Sequence, residues 1–283
     1  MPSLRTLLVL GRTSNLPTVW SNCLAGWWLA GHGNPRVLTP LLVGATLLYL
    51  GGMYLNDAFD AQFDSQHRRE RPIPSGGITA KSVWQIGFGL LAAGLAMLFF
   101  IGVPTGMLGM SLVLCILLYD AVHKIITFAP IIMAGCRFLL YLVAASTGVD
   151  GITGWPVWCG LALASYIVGL SFLARKESLR VEVNYWPCFF LAVPIGLAYL
   201  MNTGTYRHDA LLLSAVVALW VIRSLRFTYR EADRNIGRSV ASLLAGIVLV
   251  DLLAVHNVPH SLGFVFVAFF LLALLFQRFI PAT

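Results

Sequence analysis

Long apolar stretches separated by short polar gaps run through almost the whole chain of 283 residues. A helix needs about 20 apolar residues to cross the roughly 30 Å of hydrocarbon in a bilayer. The pattern therefore predicts an all-α fold, in which residues 1–283 form one domain of nine to ten transmembrane helices. The candidate stretches are 16–30, 38–56, 82–101, 104–121, 128–147, 156–174, 187–201, 209–222, 239–256 and 261–280.

The polar gaps hold most of the charged residues, and they do so in alternation. If all ten stretches cross the membrane, sixteen of the nineteen Lys and Arg residues lie on the side of the N-terminus. Cytoplasmic loops carry such an excess of basic residues, so this side is predicted to be cytoplasmic. Nine of the twelve acidic residues lie there as well. Basic residues alone are enough to orient a protein in the membrane. The additional acidic residues on this side therefore indicate a functional site on the cytoplasmic face.

Composition excludes two other classes of protein. Only 11% of the residues are charged, against about 25% in a typical soluble domain, while 58% are hydrophobic. The net charge of +7 does not indicate a nucleic-acid partner, because the basic residues are confined to the gaps between apolar stretches. The five cysteines lack CxxC spacing and lie within apolar stretches, which favours buried small side chains over disulfides or a zinc site.

The clearest chemical signal follows the second apolar stretch, where Asn56 precedes Asp57, Asp60 and Asp64. On a helix the spacings of 3 and 4 place the three carboxylates on one face over two turns. Carboxylates this close repel one another unless a cation lies among them. Oxygen ligands suit Mg²⁺, which keeps several waters and shares the rest of its shell between carboxylates and substrate phosphates.

Basic residues follow directly, with Arg68 and Arg71 ahead of a turn stiffened by Pro72 and Pro74. Guanidinium groups bind phosphate oxygens with paired hydrogen bonds. Carboxylates and arginines together predict a magnesium and diphosphate site at the membrane surface. The alternative is an ordinary solvated loop of mixed charge. A plain loop has no need of carboxylates at helical spacing beside the hydrocarbon, where charge is costly.

The motif NDxxDxxxD at residues 56–64, followed by RxxRPxPSG at 68–76, resembles the first aspartate-rich motif of the UbiA superfamily of intramembrane prenyltransferases. The resemblance covers most of the chain and is strongest to the divergent EboC-like branch. It implies a helical bundle around a central cavity open to lipid. It also implies that a polyprenyl group leaves its diphosphate with the help of Mg²⁺ and is captured by a small or lipidic acceptor.

By position, the resemblance assigns roles to residues of this chain. Asp57, Asp60 and Asp64 correspond to the metal and diphosphate site, with Asn56, Arg68 and Arg71 as further diphosphate contacts. Tyr119 and Lys124, five residues apart, correspond to the family's Tyr and Lys, and Lys124 counts among the catalytic residues.

The chain departs from the family at residues 174–182, where the second aspartate motif is expected and no DxxxD is present. Two alternatives remain open there. Glu177 supplies one carboxylate to a second metal ion, or Arg175 and Lys176 replace that ion by binding phosphate directly. Ordinary positive-inside charge is the third interpretation of this loop.

Arg137 lies inside the fifth apolar stretch, and an arginine within a membrane is expected to face the bundle interior with a partner. Asp120 and a substrate phosphate are the two partners considered.

Two other functions compete with prenyl transfer: a phosphotransferase acting on CDP-alcohols, and a lipid carrier or transporter. The CDP-alcohol phosphotransferases carry a DGxxAR element, whereas Asp57 of this chain is followed by Ala and Phe. A transporter is expected to show two matching halves, and the sequence lacks them.

Overall fold

The computed structural model describes residues 2–179, 185–202, 206–230, 234–255 and 258–282. Within these ranges the regular secondary structure is entirely helical, with twelve α-helices and no strand. The helices are α1 Leu4–Leu10, α2 Leu16–Leu29, α3 Leu38–Phe59, α4 Ala61–His67, α5 Ala80–Ile101, α6 Val103–Val122, α7 Ala129–Ala145, α8 Gly154–Leu179, α9 Pro187–Met201, α10 Tyr206–Tyr229, α11 Ile236–Ala254 and α12 His260–Phe276.

Each of the ten apolar stretches coincides with one helix, namely α2, α3 and α5 to α12. Six of these, α3, α5, α6, α8, α10 and α11, are long and apolar enough to cross a membrane. Three more, α7, α9 and α12, are apolar but shorter. The all-helical class predicted from the sequence is therefore confirmed. The short helices α1 and α4 flank the polar segments and are too short to cross.

Helices α3 and α5 approach each other through glycines. A Cβ at Gly51 would lie 2.9 Å from the carbonyl oxygen of Gly87, and one at Gly94 would lie 2.9 Å from that of Gly44. Small residues of this kind let two helix backbones approach closely inside a membrane, where packing must replace the hydrophobic effect between helices. The contact fixes the direction of α3 and hence the place where its acidic end emerges.

A second close approach joins α2 to α7. A Cβ at Gly26 would lie 2.6 Å from the carbonyl oxygen of Tyr141. The hydroxyl of Tyr166 on α8 donates to the carbonyl of Leu243 on α11, at 2.9 Å. Helices α2, α7, α8 and α11 thereby enclose a buried core, and the N-terminal end of α2 is placed beside the acidic end of α3.

Candidate active site

The acidic segment is an almost unbroken extension of α3. Asp60 lies between α3 and α4, and its N–H still donates to the carbonyl of Asn56, while the N–H of Asp64 donates to that of Asp60. These i to i−4 bonds preserve the helical register, so the spacing predicted from the sequence holds. Asp57, Asp60 and Asp64 are all buried, with 4%, 9% and 3% of their surface exposed. They are directed into the protein and do not form a solvated loop.

Arg12 meets this segment from the N-terminal side. Its Nη2 lies 3.1 Å from Oδ1 of Asp57 and 3.3 Å from Oδ1 of Asn56. Burial alone would lower the pKa of Arg12, but the combined interactions with Asp57, Tyr49, Tyr119 and Asp60 outweigh burial, and the pKa lies above its ordinary value. The backbone of Arg12 is left-handed, with φ of 40°, a conformation that costs a non-glycine residue energy and often marks functional sites. Sequence reasoning gave Arg12 no role at this site.

Arg71 completes the cationic side. Its Nη1 lies 3.9 Å from Oδ1 of Asp57, and the turn that holds it closes with hydrogen bonds from Ser75 to the Arg71 carbonyl and from Gly77 to the Pro72 carbonyl. Burial lowers the pKa of Arg71, and the positive charges of Arg12 and Arg68 lower it further. Three guanidinium groups close enough to repel one another favour the binding of an anion that carries more than one charge.

The end of α6 supplies the opposite side. Nζ of Lys124 lies 3.0 Å from Oδ2 of Asp60, and Nε2 of His123 lies 3.2 Å from Oδ1. The Tyr119 ring stacks on His123, with 5.1 Å between centroids, and Lys124 also lies over the ring of Phe63. Burial alone raises the pKa of Asp60, but His123 and Lys124 outweigh burial and hold the pKa below its ordinary value.

Asn56 connects the two sides. Its Nδ2 donates to Oδ1 of Asp120 at 3.1 Å, while its Oδ1 accepts from Arg12. Asp120 thus fixes which way the amide faces, so that Arg12 meets an acceptor. Neither Asp120 nor His123 was assigned to this site from the sequence. The available signal was their position in the chain, since Asp120 follows Tyr119 directly and His123 precedes Lys124 directly.

Three acidic oxygens remain as acceptors at the site. Oδ2 of Asp57, Oδ1 of Asp64 and Oδ2 of Asp120 are buried and have no hydrogen-bond partner among the described residues. Burial raises the pKa of Asp64, and the charge of Asp60 raises it further. No three acidic, His or Cys groups converge on one point in the described ranges. Mg²⁺ needs only one or two carboxylates beside substrate phosphates and water, so this donor set suits it.

Arg137 lies away from these groups. Its Nη1 donates to Oδ1 of Asn22 at 2.7 Å, and its Nη2 donates to Oγ1 of Thr18 at 3.0 Å. Both partners are on α2, whereas the sequence had suggested Asp120 or a phosphate. Asp120 instead accepts from Asn56.

Arg175 contacts the loop between α6 and α7. Its Nη1 donates to the carbonyl oxygens of Ile126 and Thr127, at 2.8 Å and 3.0 Å. The same loop contains Lys124. Lys176 and Glu177 belong to α8, but their side chains lie outside the described part of the structure.

Comparisons with known proteins identify relatives of this chain. The model of the UbiA prenyltransferase family matches residues 16–282. A 4-hydroxybenzoate octaprenyltransferase of Idiomarina loihiensis is 31% identical over 262 residues, which cover 85% of this chain and 90% of that protein. A digeranylgeranylglyceryl phosphate synthase of Methanothrix thermoacetophila is 35% identical over 97 residues; this match spans 32% of the chain and 36% of the length of that protein.

Among solved structures, the apo structure of a UbiA homologue from Aeropyrum pernix K1 matches with a TM-score of 0.67 at 13% identity. The match covers 86% of this chain and 96% of that one. At so low an identity the likeness shows a shared fold. The family model matches nearly the whole length of the chain, and the octaprenyltransferase relative is 31% identical over most of both chains; on these two grounds the chain belongs to the UbiA prenyltransferase family.

Proposed function

We propose that the protein is a Mg²⁺-dependent intramembrane enzyme that moves a polyprenyl group from its diphosphate to a small or lipidic acceptor. One observation carries the proposal: buried carboxylates at helical spacing face cations from three other parts of the chain. Arg12 and Arg71 lie beside Asp57, and Lys124 lies beside Asp60. Such alternation of charge suits a ligand that combines a divalent cation with a diphosphate.

The roles of the residues follow from charge. Asp57 and Asp64, with their unpartnered oxygens, would hold the metal, while Asp60 pairs with Lys124 and His123. Bound Mg²⁺ supplies charge that offsets the negative charge of the departing diphosphate. Arg12, Arg71 and Lys124 bind the phosphate oxygens, and their contribution is largest in the transition state because charge develops there on the leaving group.

The ion pairs of the structure prepare the site for this ligand. Arg12 and Lys124 are each held within 3.1 Å of a carboxylate oxygen. A bound diphosphate provides these cations with new acceptors, and the carboxylates become available to metal. Because the donors are already in place, little reorganisation is needed during the reaction. Asn56 and Tyr119 support them, Asn56 through Arg12 and Tyr119 by stacking on His123.

We further propose that nine to ten of the helices cross the membrane around a cavity open to lipid, with the charged site on the cytoplasmic side. The alternation of basic residues supports this orientation. A dry cavity protects an allylic cation from water. The donor is a polyprenyl diphosphate. The relatives named above act on different acceptors, so the family alone does not select one.

Lipid analysis tests the proposed activity. Extracts from cells that express the protein are compared by mass spectrometry with extracts from cells that express an Asp57→Asn variant. We expect at least one lipid that carries an additional polyprenyl group only when the unaltered protein is present. Identical extracts, at equal protein levels, contradict the proposal.

Chemical labelling tests the orientation. Ser65 on α4 and Asn34 before α3 are both exposed, and the five native cysteines are at least partly buried. We expect a cysteine at Ser65 to react with an impermeant maleimide only after cells are permeabilised, and one at Asn34 to react in intact cells. Reaction of the Ser65 cysteine in intact cells would reverse the orientation.

The loop that lacks the second aspartate motif gives a further prediction. If Arg175 replaces a metal ion, Arg175→Ala lowers turnover at every Mg²⁺ concentration, because metal does not substitute for a guanidinium group. Glu177→Gln is then mild. We favour this outcome because two cations, Arg175 and Lys176, directly precede the single carboxylate of Glu177. An activity loss in Glu177→Gln that excess Mg²⁺ restores would instead show a second metal ion, since lost affinity is overcome by mass action.

A further inference from the structure

The turn that carries Arg12 is bound to a segment that is distant in sequence. We call residues 12–15 the arginine turn; it connects α1 to α2. Oγ of Ser14 donates to the carbonyl of Pro281 at 3.4 Å, and Nδ2 of Asn15 donates to the carbonyl of Ala282 at 3.0 Å. Ser14 is fully buried, Asn15 is 5% exposed and Ala282 is 7% exposed. The segment that follows α12 therefore forms part of the packing around the arginine turn.

Asn15 does not serve the helix that it precedes. An asparagine in this position usually caps the helix, because its side-chain oxygen accepts an N–H of the first turn. In this structure the side chain of Asn15 forms no capping hydrogen bond, and its Oδ1 has no partner in the described part of the chain. The amide gives up the local bond and donates to Ala282 instead. The contact with the distant segment, and not the start of α2, therefore accounts for an asparagine here.

Arg12 needs support because its backbone is left-handed, with φ of 40°. A residue other than glycine keeps this conformation only where its surroundings enforce it. The Arg12 carbonyl accepts from the N–H of Asn15 at 3.0 Å and from the Tyr49 hydroxyl at 3.2 Å. Asn15 thus acts at two points: its N–H closes the arginine turn, and its side chain binds that turn to Ala282.

The distant segment is itself fixed. Nε2 of Gln277, directly after α12, donates to the carbonyl of Ala241 on α11 at 2.9 Å. The N–H of Ile280 donates to the carbonyl of Phe276, also at 2.9 Å, so the chain continues as a turn beyond the helix. Pro281 and Ala282 therefore offer their carbonyls to the arginine turn from a support that α11 and α12 hold in place.

The arginine turn decides where the Arg12 guanidinium lies. Its Nη2 faces Asn56 and Asp57, while its Nε is buried and has no partner among the residues that the structure describes. One donor of the planar fork thus remains for a phosphate oxygen. Binding through such a fork depends on its direction, and a misplacement of about 1 Å can cost about 10²-fold in rate. Even a small displacement of the turn is expected to slow the reaction.

We propose that Asn15 is a positioning residue for the reaction. Its hydrogen bond to Ala282 sets the arginine turn and, through that turn, the direction of the Arg12 guanidinium toward the diphosphate. Ser14 contributes in the same way through Pro281. This inference rests on the proposed function, and it makes the segment after α12 a support of the active site.

Asn15→Leu tests the inference, because leucine is similar in size and lacks the donor. We expect kcat/KM for a polyprenyl diphosphate to fall about tenfold or more. The same change in an Arg12→Ala background should cost less than about twofold, since a residue that acts through Arg12 then has nothing to position. A purely structural role predicts equal factors in the two backgrounds. The measurement is Mg²⁺-dependent release of diphosphate by purified protein.

Asn202→Leu is the matched control. Asn202 is 9% exposed and its Nδ2 donates to the Ala198 carbonyl at 2.8 Å, so the change removes the same kind of buried hydrogen bond at the end of α9. We expect it to lower the Tm and to leave kcat/KM of the folded protein unchanged. Asn15→Ala, which introduces no bulk, is measured beside Asn15→Leu and should show the same dependence on Arg12.

The comparison of the two backgrounds gives the outcome. A loss of kcat/KM that disappears in the Arg12→Ala background, with Asn202→Leu unaffected, supports the inference. Factors that multiply, or unchanged kcat/KM in both Asn15 variants, overturn the inference alone as long as the unaltered protein releases diphosphate. If the unaltered protein neither releases diphosphate nor is stabilised by Mg²⁺ with geranylgeranyl thiodiphosphate, the proposed function is overturned as well.

Discussion

Replacing Asp57 with asparagine is expected to lower turnover by about 10²-fold or more. The change keeps the shape of the side chain but removes the charge that faces Arg12 at 3.1 Å and Arg71 at 3.9 Å. It also weakens Asp57 as a metal ligand, because the amide carries one oxygen in place of two; Oδ2 of the carboxylate is buried and has no hydrogen-bond partner among the described residues. The measurement is Mg²⁺-dependent release of diphosphate from a polyprenyl diphosphate by purified protein.

Asp60→Asn is expected to have a similar effect, because Asp60 pairs with Lys124 and His123 on the other side of the site. Asp209→Asn is the matched control: that carboxylate is exposed on α10 and lies beside its neighbour His208. Near-normal turnover in both Asp57→Asn and Asp60→Asn, with Mg²⁺ present, would refute the assignment of the site.

Lys124→Ala is expected to reduce turnover by about 10²-fold, with a smaller effect on binding of the donor. Its ammonium group lies 3.0 Å from Asp60 and is held over the ring of Phe63, so it is fixed in place before the donor arrives. A fixed cation contributes most when negative charge develops on the leaving group. Steady-state kinetics separate the fall in kcat from any change in KM.

Lys81→Ala serves as the control, since Lys81 is an exposed lysine in the first turn of α5. Lys124→Arg should retain part of the activity because it keeps the charge and loses the shape of the ammonium group. If Lys124→Ala raised KM and left kcat unchanged, Lys124 would contribute to binding alone and its catalytic role would be withdrawn.

The helices were predictable because their signal is local. Each apolar stretch identifies its own helix, and all ten coincide with helices of the structure. The three aspartates belong to the same category: spacings of 3 and 4 decide that they share a face wherever the helix lies. Their burial beside α6 and the N-terminal segment required the packing of α3 on α5, which no local pattern encodes.

Contacts between distant segments explain what sequence reasoning missed. Arg12 reaches Asp57 across 45 positions because a left-handed residue turns the chain before α2. Arg137 was expected to pair with Asp120 or a substrate phosphate. Its partners in the structure are two neutral side chains of α2, Asn22 and Thr18. Arg175 reaches backbone carbonyls of the loop that carries Lys124, and carbonyl groups leave no trace in a sequence pattern.

Ligand-dependent thermal stability tests the central claim most directly. The account predicts that Mg²⁺ with geranylgeranyl thiodiphosphate, at about 100 times its dissociation constant, stabilises the purified protein by about 2.7 kcal/mol, seen as a rise in Tm. Mg²⁺ alone and Mg²⁺ with a CDP-alcohol should stabilise it far less, and Asp57→Asn should abolish the rise. Stabilisation by the CDP-alcohol in place of the prenyl thiodiphosphate would contradict the account.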